Sequence, residues 1–164
     1  MLIRKATDDD IEEIMKIYRI AQDFMIESGN PNQWGHFYPT IDIISKDIYE
    51  ETCYLVCDDD GPHGVFALFD IDEPTYQIIE DGQWINDEKY LTIHRIASDG
   101  KVHGIFDCII TYCKSKSNNI RIDTHQNNVI MQNLIEKQGF QKCGIIHVAD
   151  GSPRIAYHWS KSIL

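Results

Sequence analysis

The residues with the most chemical content lie in the second half of the chain. Residues 91–106 read Leu91-Thr92-Ile93-His94-Arg95-Ile96-Ala97-Ser98-Asp99-Gly100-Lys101-Val102-His103-Gly104-Ile105-Phe106. A strand-like apolar run leads into a basic, glycine-containing turn and then into a helical pattern. Backbone N–H groups at a helix start, aided by the helix dipole, can hold an anion such as a pyrophosphate. Lys101 and His103 add cationic donors beside them. Strand–turn–helix segments are common, and taken alone this one reads more simply as a loop that uses glycine for backbone freedom.

A second stretch, residues 120–140, runs from a strand through the polar cluster Asp123-Thr124-His125 into a helix closed by Gly139-Phe140. The five cysteines (Cys53, Cys57, Cys108, Cys113, Cys143) contain no CxxC pair. They read as reduced thiols in the cytoplasm rather than a disulfide framework or a zinc site. Cys108 and Cys113 fall on an apolar helix, so packing is the expected role. The seven histidines show no tight ligand spacing, and no metal is expected. Trp34, Tyr38, Tyr76 and Trp84 lie in irregular segments and read equally as pocket walls or as satellite core.

Hydrophobic periodicity supplies the elements that must position these groups. Strands are predicted over 2–6, 53–57, 64–70, 90–97, 120–124, 140–148 and 155–160. Thr7 can cap a first helix whose Ile11, Ile14, Met15, Tyr18, Ala21 and Met25 keep the spacing of a buried face, with Gly29-Asn30-Pro31 ending it. Further helices are predicted over 40–51, 104–114 and 127–138, the one over 104–114 apolar nearly all round. Residues 72–88 are expected to be a polar excursion between strands. Hairpins in the first half require antiparallel pairing, and strand–helix–strand in the second half requires a parallel crossover. The fold class is α/β in the mixed α+β sense, a mostly antiparallel sheet of about seven strands flanked by about four helices.

With 164 residues, one domain over 1–164 is expected, large enough for its own core. No apolar run reaches membrane-helix length and no signal peptide is visible. The net charge of -11 disfavours nucleic-acid backbones and suits cationic ligands, though acidic surfaces also simply keep proteins in solution.

Together the two chemical stretches resemble the GNAT family of N-acetyltransferases, whose element order matches over essentially the whole chain. The family's acetyl-CoA motif, Gln/Arg-x-x-Gly-x-Gly/Ala, falls on Lys101 to Phe106. Its later pattern falls on Asn128 to Phe140, where Asn128, Leu134, Lys137, Gly139 and Phe140 agree. The resemblance implies acetyl-CoA as cosubstrate and acyl transfer to a small amine or amino-acid-like acceptor. It implies that the backbone of Ile96, Ala97 and Ser98 pairs with the pantetheine arm. The N–H groups of Val102, His103, Gly104, Ile105 and Phe106 would take the pyrophosphate, and Asn128 and Met131 would lie along the cofactor. Homodimerisation is left open.

Four positions depart from the pattern. Lys101 replaces Gln or Arg. Phe106 replaces a small residue and would either block the pyrophosphate or turn into the core. Met131 replaces Ala. Ile135 stands where many members place the tyrosine that protonates the leaving thiolate. These departures motivate an alternative, a non-catalytic GNAT-like module with an impaired CoA site. An amine must lose a proton, and His94 is the candidate base, with a structural histidine as the other reading. His125 and Asp123 form either an orienting pair or a capping cluster.

Overall fold

The computed structural model describes residues 1–161, so the last three residues of the expected 1–164 domain lie outside it. Seven strands form one mixed sheet, mostly antiparallel, in the order β1-β2-β3-β4-β5-β7-β6, with four helices. The chain divides into two compact units.

The first unit comprises Met1–Leu68 and His94–Tyr112. Strand β1 (Leu2–Lys5) pairs antiparallel with β2 (Cys53–Asp58), and β2 forms a hairpin with β3 (Gly61–Phe69). Between β1 and the first helix, Asp10 accepts the Thr7 N–H and both arms of Arg4, each at 2.8 Å. The Arg4 guanidinium holds the Asp10 carboxyl below its usual range. Helix α1 (Ile11–Glu27) buries Ile14, Ile17 and Tyr18, close to the predicted face. Gly29, at φ 90°, follows the helix end in the left-handed conformation that glycine tolerates best. Helix α2 (Ile41–Tyr49) is capped by Thr40, whose hydroxyl accepts the Ile43 N–H. Ile14, Tyr18, Ile44, Leu55 and Val65 form this unit's core. Strand β4 (Leu91–Ser98) and helix α3 (Ile105–Lys116) begin and end in different units, with His94 to Ser98 and Ile105 to Tyr112 in the first.

The second unit comprises Phe69–Ile93 and the chain from Cys113 onward. The start of β4 pairs parallel with β5 (Asn119–Thr124) at Leu91↔Ile120 and Thr92↔Arg121, the predicted crossover. Helix α4 (Val129–Lys137) follows, then β6 (Gln141–His147) and β7 (Pro153–Ser160), which pairs antiparallel with both β5 and β6.

The excursion over 72–88 is more built than its polarity suggests. It carries a one-turn 3-10 helix at Pro74–Tyr76 and a bridge between Glu80 and Ile145. Tyr76 is buried and donates its hydroxyl to Asp123 at 2.6 Å. Trp84 donates to the Tyr76 carbonyl at 3.0 Å. The Arg121 guanidinium lies 4.2 Å from the Trp84 ring centroid and 3.9 Å from that of Tyr90, and donates to the Asn86 carbonyl. Cation–π contacts and a charge-assisted bond thus compensate a buried charge. A Cβ on Gly82 would overlap the Cys143 carbonyl, so only glycine lets these two backbones approach.

His158, fully buried, accepts the Ile85 N–H at Nδ1, so its Nε2 carries the proton toward Asn119 Oδ1. Burial, with the charge of Arg121 adding to it, pushes its pKa down to about 4. The unfolded chain therefore binds a proton near pH 6.5 that the folded chain refuses until about pH 4. Stability should fall as pH drops through that window, by on the order of 1 kcal/mol per pH unit for this one group. Urea denaturation between pH 7 and 5 should show a shallower loss in His158→Gln. His125, pushed down by burial, contributes with the same sign.

Candidate functional site

The first unit contains an interruption that a regular strand would not have. Arg95, in the middle of β4, sits at φ 55°. A left-handed residue that is not glycine costs roughly 1–2 kcal/mol and persists only where its surroundings enforce it. Three elements enforce it here. The Tyr18 hydroxyl of α1 donates to the Arg95 carbonyl at 2.7 Å. Asp47 of α2 takes a two-armed bond from Arg95 Nε and Nη2, at 2.9 and 2.8 Å. Tyr38 accepts from Nη1 at 2.9 Å, and Trp34 meets Tyr18 edge-on and Tyr38 at a tilt. The Asp47 and Arg95 side chains are 5% and 13% exposed, so this pair is shielded from water.

His94 is half-buried, immediately before the kink. Beyond the kink, Ala97 is buried in the core cluster while Ile96 and Ser98 stay half-buried on the alternate positions. The turn then folds on its own side chains. Ser98 Oγ accepts the Gly100 N–H at 3.1 Å, and Asp99 Oδ1 accepts the Lys101 N–H at 2.9 Å. Gly100 and Gly104 adopt φ 74° and 83°.

Lys101, His103 and Gly104 are exposed and Val102 half-buried, whereas Ile105 and Phe106 are buried. Ile105 presses on β3 so closely that a Cβ on Gly64 would sit 2.5 Å from its Cγ2. The helix start is thereby seated by apolar side chains beneath it. The first N–H groups of an α-helix have no acceptor within the helix, so this end offers donors to an anion. Phe106 takes the inward of its two predicted orientations.

In the second unit, Asn128 Oδ1 accepts the Met131 N–H at 3.0 Å and so caps α4. Met131 is half-buried on that helix's first turn. His125 Nδ1 accepts the Asn127 N–H at 3.0 Å, and Asp123 takes the Tyr76 hydroxyl. Those partners suit a capping cluster. Ile135 is fully buried and supplies core volume. Of the four aromatics, Trp34 packs between Tyr18 and Tyr38 in the first unit, and Tyr76 meets Trp84 at a tilt in the second. Among the described residues, no three His, Cys, Asp or Glu side chains gather to hold a metal ion, and no helix is long and apolar enough to cross a membrane.

No protein-family model matches the chain, and no curated protein does. Solved structures do. A GNAT-family acetyltransferase from Streptococcus agalactiae is 30% identical, with TM-score 0.88, covering 98% of this chain and 95% of its own. A GNAT-superfamily phosphinothricin acetyltransferase from Sinorhizobium meliloti, in complex with acetyl-CoA, is 12% identical, with TM-score 0.65 over 97% of this chain and 87% of its own. The GNAT-like decarboxylase GphF, in complex with isobutyryl-CoA, is 10% identical, with TM-score 0.67 over 98% of this chain and 100% of its own. The fold and the first of these likenesses define the class: this chain belongs to the GNAT family of acetyltransferases.

The clamp around Arg95 makes a direct prediction. Removing one partner of a shielded ion pair leaves the other charge uncompensated, at a cost of about 3–5 kcal/mol. Asp47→Ala should lose that much stability in urea denaturation. Arg95→Lys, which keeps the charge but not the two-armed geometry, should lose less.

Proposed function

We propose that this protein is an acetyl-CoA-dependent N-acetyltransferase that acts on a small amine or amino-acid-like acceptor by direct acyl transfer. The observation that carries the reading is the arrangement of residues 102–106, with exposed backbone above buried Ile105 and Phe106. Bulk at position 106 is thus directed away from the turn. A Cβ built on Gly100 meets nothing within 4 Å, and one on Gly104 meets only Met1 Cε at 3.7 Å, so the turn has room for a phosphate. Lys101 and His103 are exposed beside it.

In this reading the backbone of Ile96, Ala97 and Ser98 holds the pantetheine arm as an added strand would be held. The acceptor nitrogen forms a bond to the thioester carbonyl carbon, the C–S bond breaks, and the amine gives up a proton. His94 is the proposed base for that proton. The leaving thiolate takes its proton from solvent or from a side chain other than Ile135. The reading treats residues 1–164 as one cytoplasmic domain without nucleic-acid, membrane or metal partners, and homodimerisation stays open. A second reading, a non-catalytic GNAT-like binding module, starts from Ile135, which has no acidic proton to give.

Thermal denaturation with acetyl-CoA, against adenosine, is the first test. At 100 times its dissociation constant a ligand adds about 2.7 kcal/mol, which for a chain of this size is roughly 5–10 °C. No acetyl-CoA-specific rise at millimolar ligand would sink the proposal. Phe106→Ala should destabilise by about 3–5 kcal/mol and leave acetyl-CoA affinity no tighter. Tighter binding by this variant would instead favour the impaired-site reading.

A further inference from the structure

His63 lies on β3, outside every motif described above. Its Nδ1 is 2.8 Å from Asp99 Oδ2, and its Nε2 is 2.9 Å from Asp58 Oδ1. An ionised carboxylate accepts and does not donate, so both contacts are hydrogen bonds only when both ring nitrogens carry protons. The geometry therefore calls for an imidazolium. The His63 and Asp99 side chains are 11% and 7% exposed, and Asp58, at the end of β2, is 31% exposed.

Asp99 is bound to more than His63. Its own N–H donates to the His63 carbonyl at 3.0 Å, and its second oxygen, Oδ1, accepts the Lys101 N–H at 2.9 Å. The imidazolium grips one carboxylate oxygen while the other shapes the turn where the N–H groups of 102–106 begin. The charged groups on the ring are Asp58, the last residue of β2, and Asp99, the residue after β4. Asp60, in the hairpin, joins through its N–H on Asp58. The two carboxylates, Asp99 foremost, hold the His63 pKa above the usual histidine value.

We propose that His63 is a positioning residue for the cofactor: as an imidazolium it fixes Asp99, and through Asp99 the turn that receives the CoA phosphates. This rests on the acetyl-CoA reading above. With His63 charged, the trio carries a net charge of about -1; with His63 neutral, about -2, beside a polyanionic ligand. The sign follows. His63 is charged below its raised folded pKa and neutral above it, so acetyl-CoA binding weakens as pH rises through that titration. By linkage, bound phosphate makes His63 hold its proton more tightly.

Calorimetric titration with acetyl-CoA from pH 7 to 9.5, without acceptor, tests this, because the CoA phosphates are largely ionised above about pH 7. Wild type should lose roughly tenfold in affinity across a single midpoint. Asp58→Asn keeps the oxygen that the ring and Asp60 use but removes the charge, and it touches the turn only through His63. Its midpoint should move to lower pH, while its affinity on the acid side of that midpoint stays close to wild type. His63→Asn can still donate to Asp99 but does not titrate, so its affinity should be flat across the range. An unmoved midpoint in Asp58→Asn, or a wild-type pH profile in His63→Asn, overturns the proposal and leaves the acetyl-CoA reading standing. Should His63→Asn fail to fold, Asp58→Asn decides. Wild type that binds no acetyl-CoA at any pH overturns both.

Discussion

A residue whose backbone is held in the left-handed region halfway along a strand needs a partner that fixes it, and in this chain that partner is Asp47. The Arg95–Asp47 pair is shielded, two-armed and joined to Tyr38, while Tyr18 takes hold of the same residue by its carbonyl. Four contacts on one residue come from α1, the aromatic segment and α2. The strand ahead of the kink follows ordinary parallel pairing; the residues beyond it lead into the turn before α3. A pair like this gains little over an apolar substitute in net stability, because desolvation offsets the Coulomb attraction. What it supplies is a unique geometry, since neither partner can leave without stranding the other charge.

The order of elements was legible from hydrophobic periodicity and turn residues, and every predicted strand and helix is present within a few residues. The kink was not. Position 95 has no glycine, proline or asparagine to announce a left-handed backbone, and the residues that impose it lie 48, 57 and 77 positions away. Local propensity cannot see such partners. His63 was missed for the same reason, with its carboxylates 5 and 36 residues distant. Phe106 was half legible. The apolar spacing of Ile105, Phe106, Ile109, Ile110 and Cys113 already contained its inward orientation, but the family pattern at that position drew attention to the clash instead.

The excursion over 72–88 shows how polar composition can mislead. Its Tyr76 and Trp84 are apolar bodies with one donor each, and both donors are satisfied when buried. The polar residues they cover draw partners from the same segment, Arg121 Nη2 the Asn86 carbonyl and His158 Nδ1 the Ile85 N–H. A segment that looks like a loop in one dimension is the lid of a polar core in three. The neutrality of His158 follows: a charged imidazole next to Arg121, with no carboxylate on it, would be worse than a proton lost to solvent.

A chain with net charge -11 faces a difficulty if it is to hold a polyphosphate cofactor, as proposed here. Long-range attraction works against it, so binding must come from short-range donors, namely backbone N–H groups and the helix dipole, which act over a few ångströms whatever the net charge. Asp99 makes the difficulty sharper, because it places a carboxylate at the base of the receiving turn. An asparagine there could accept the Lys101 N–H without bringing a charge. The aspartate is tolerable because its other oxygen faces His63, and an imidazolium in that position neutralises most of the field the carboxylate would project toward the turn. His63 is accordingly part of the same electrostatic unit as the turn, although the two are far apart in sequence and only one of them belongs to a recognisable motif.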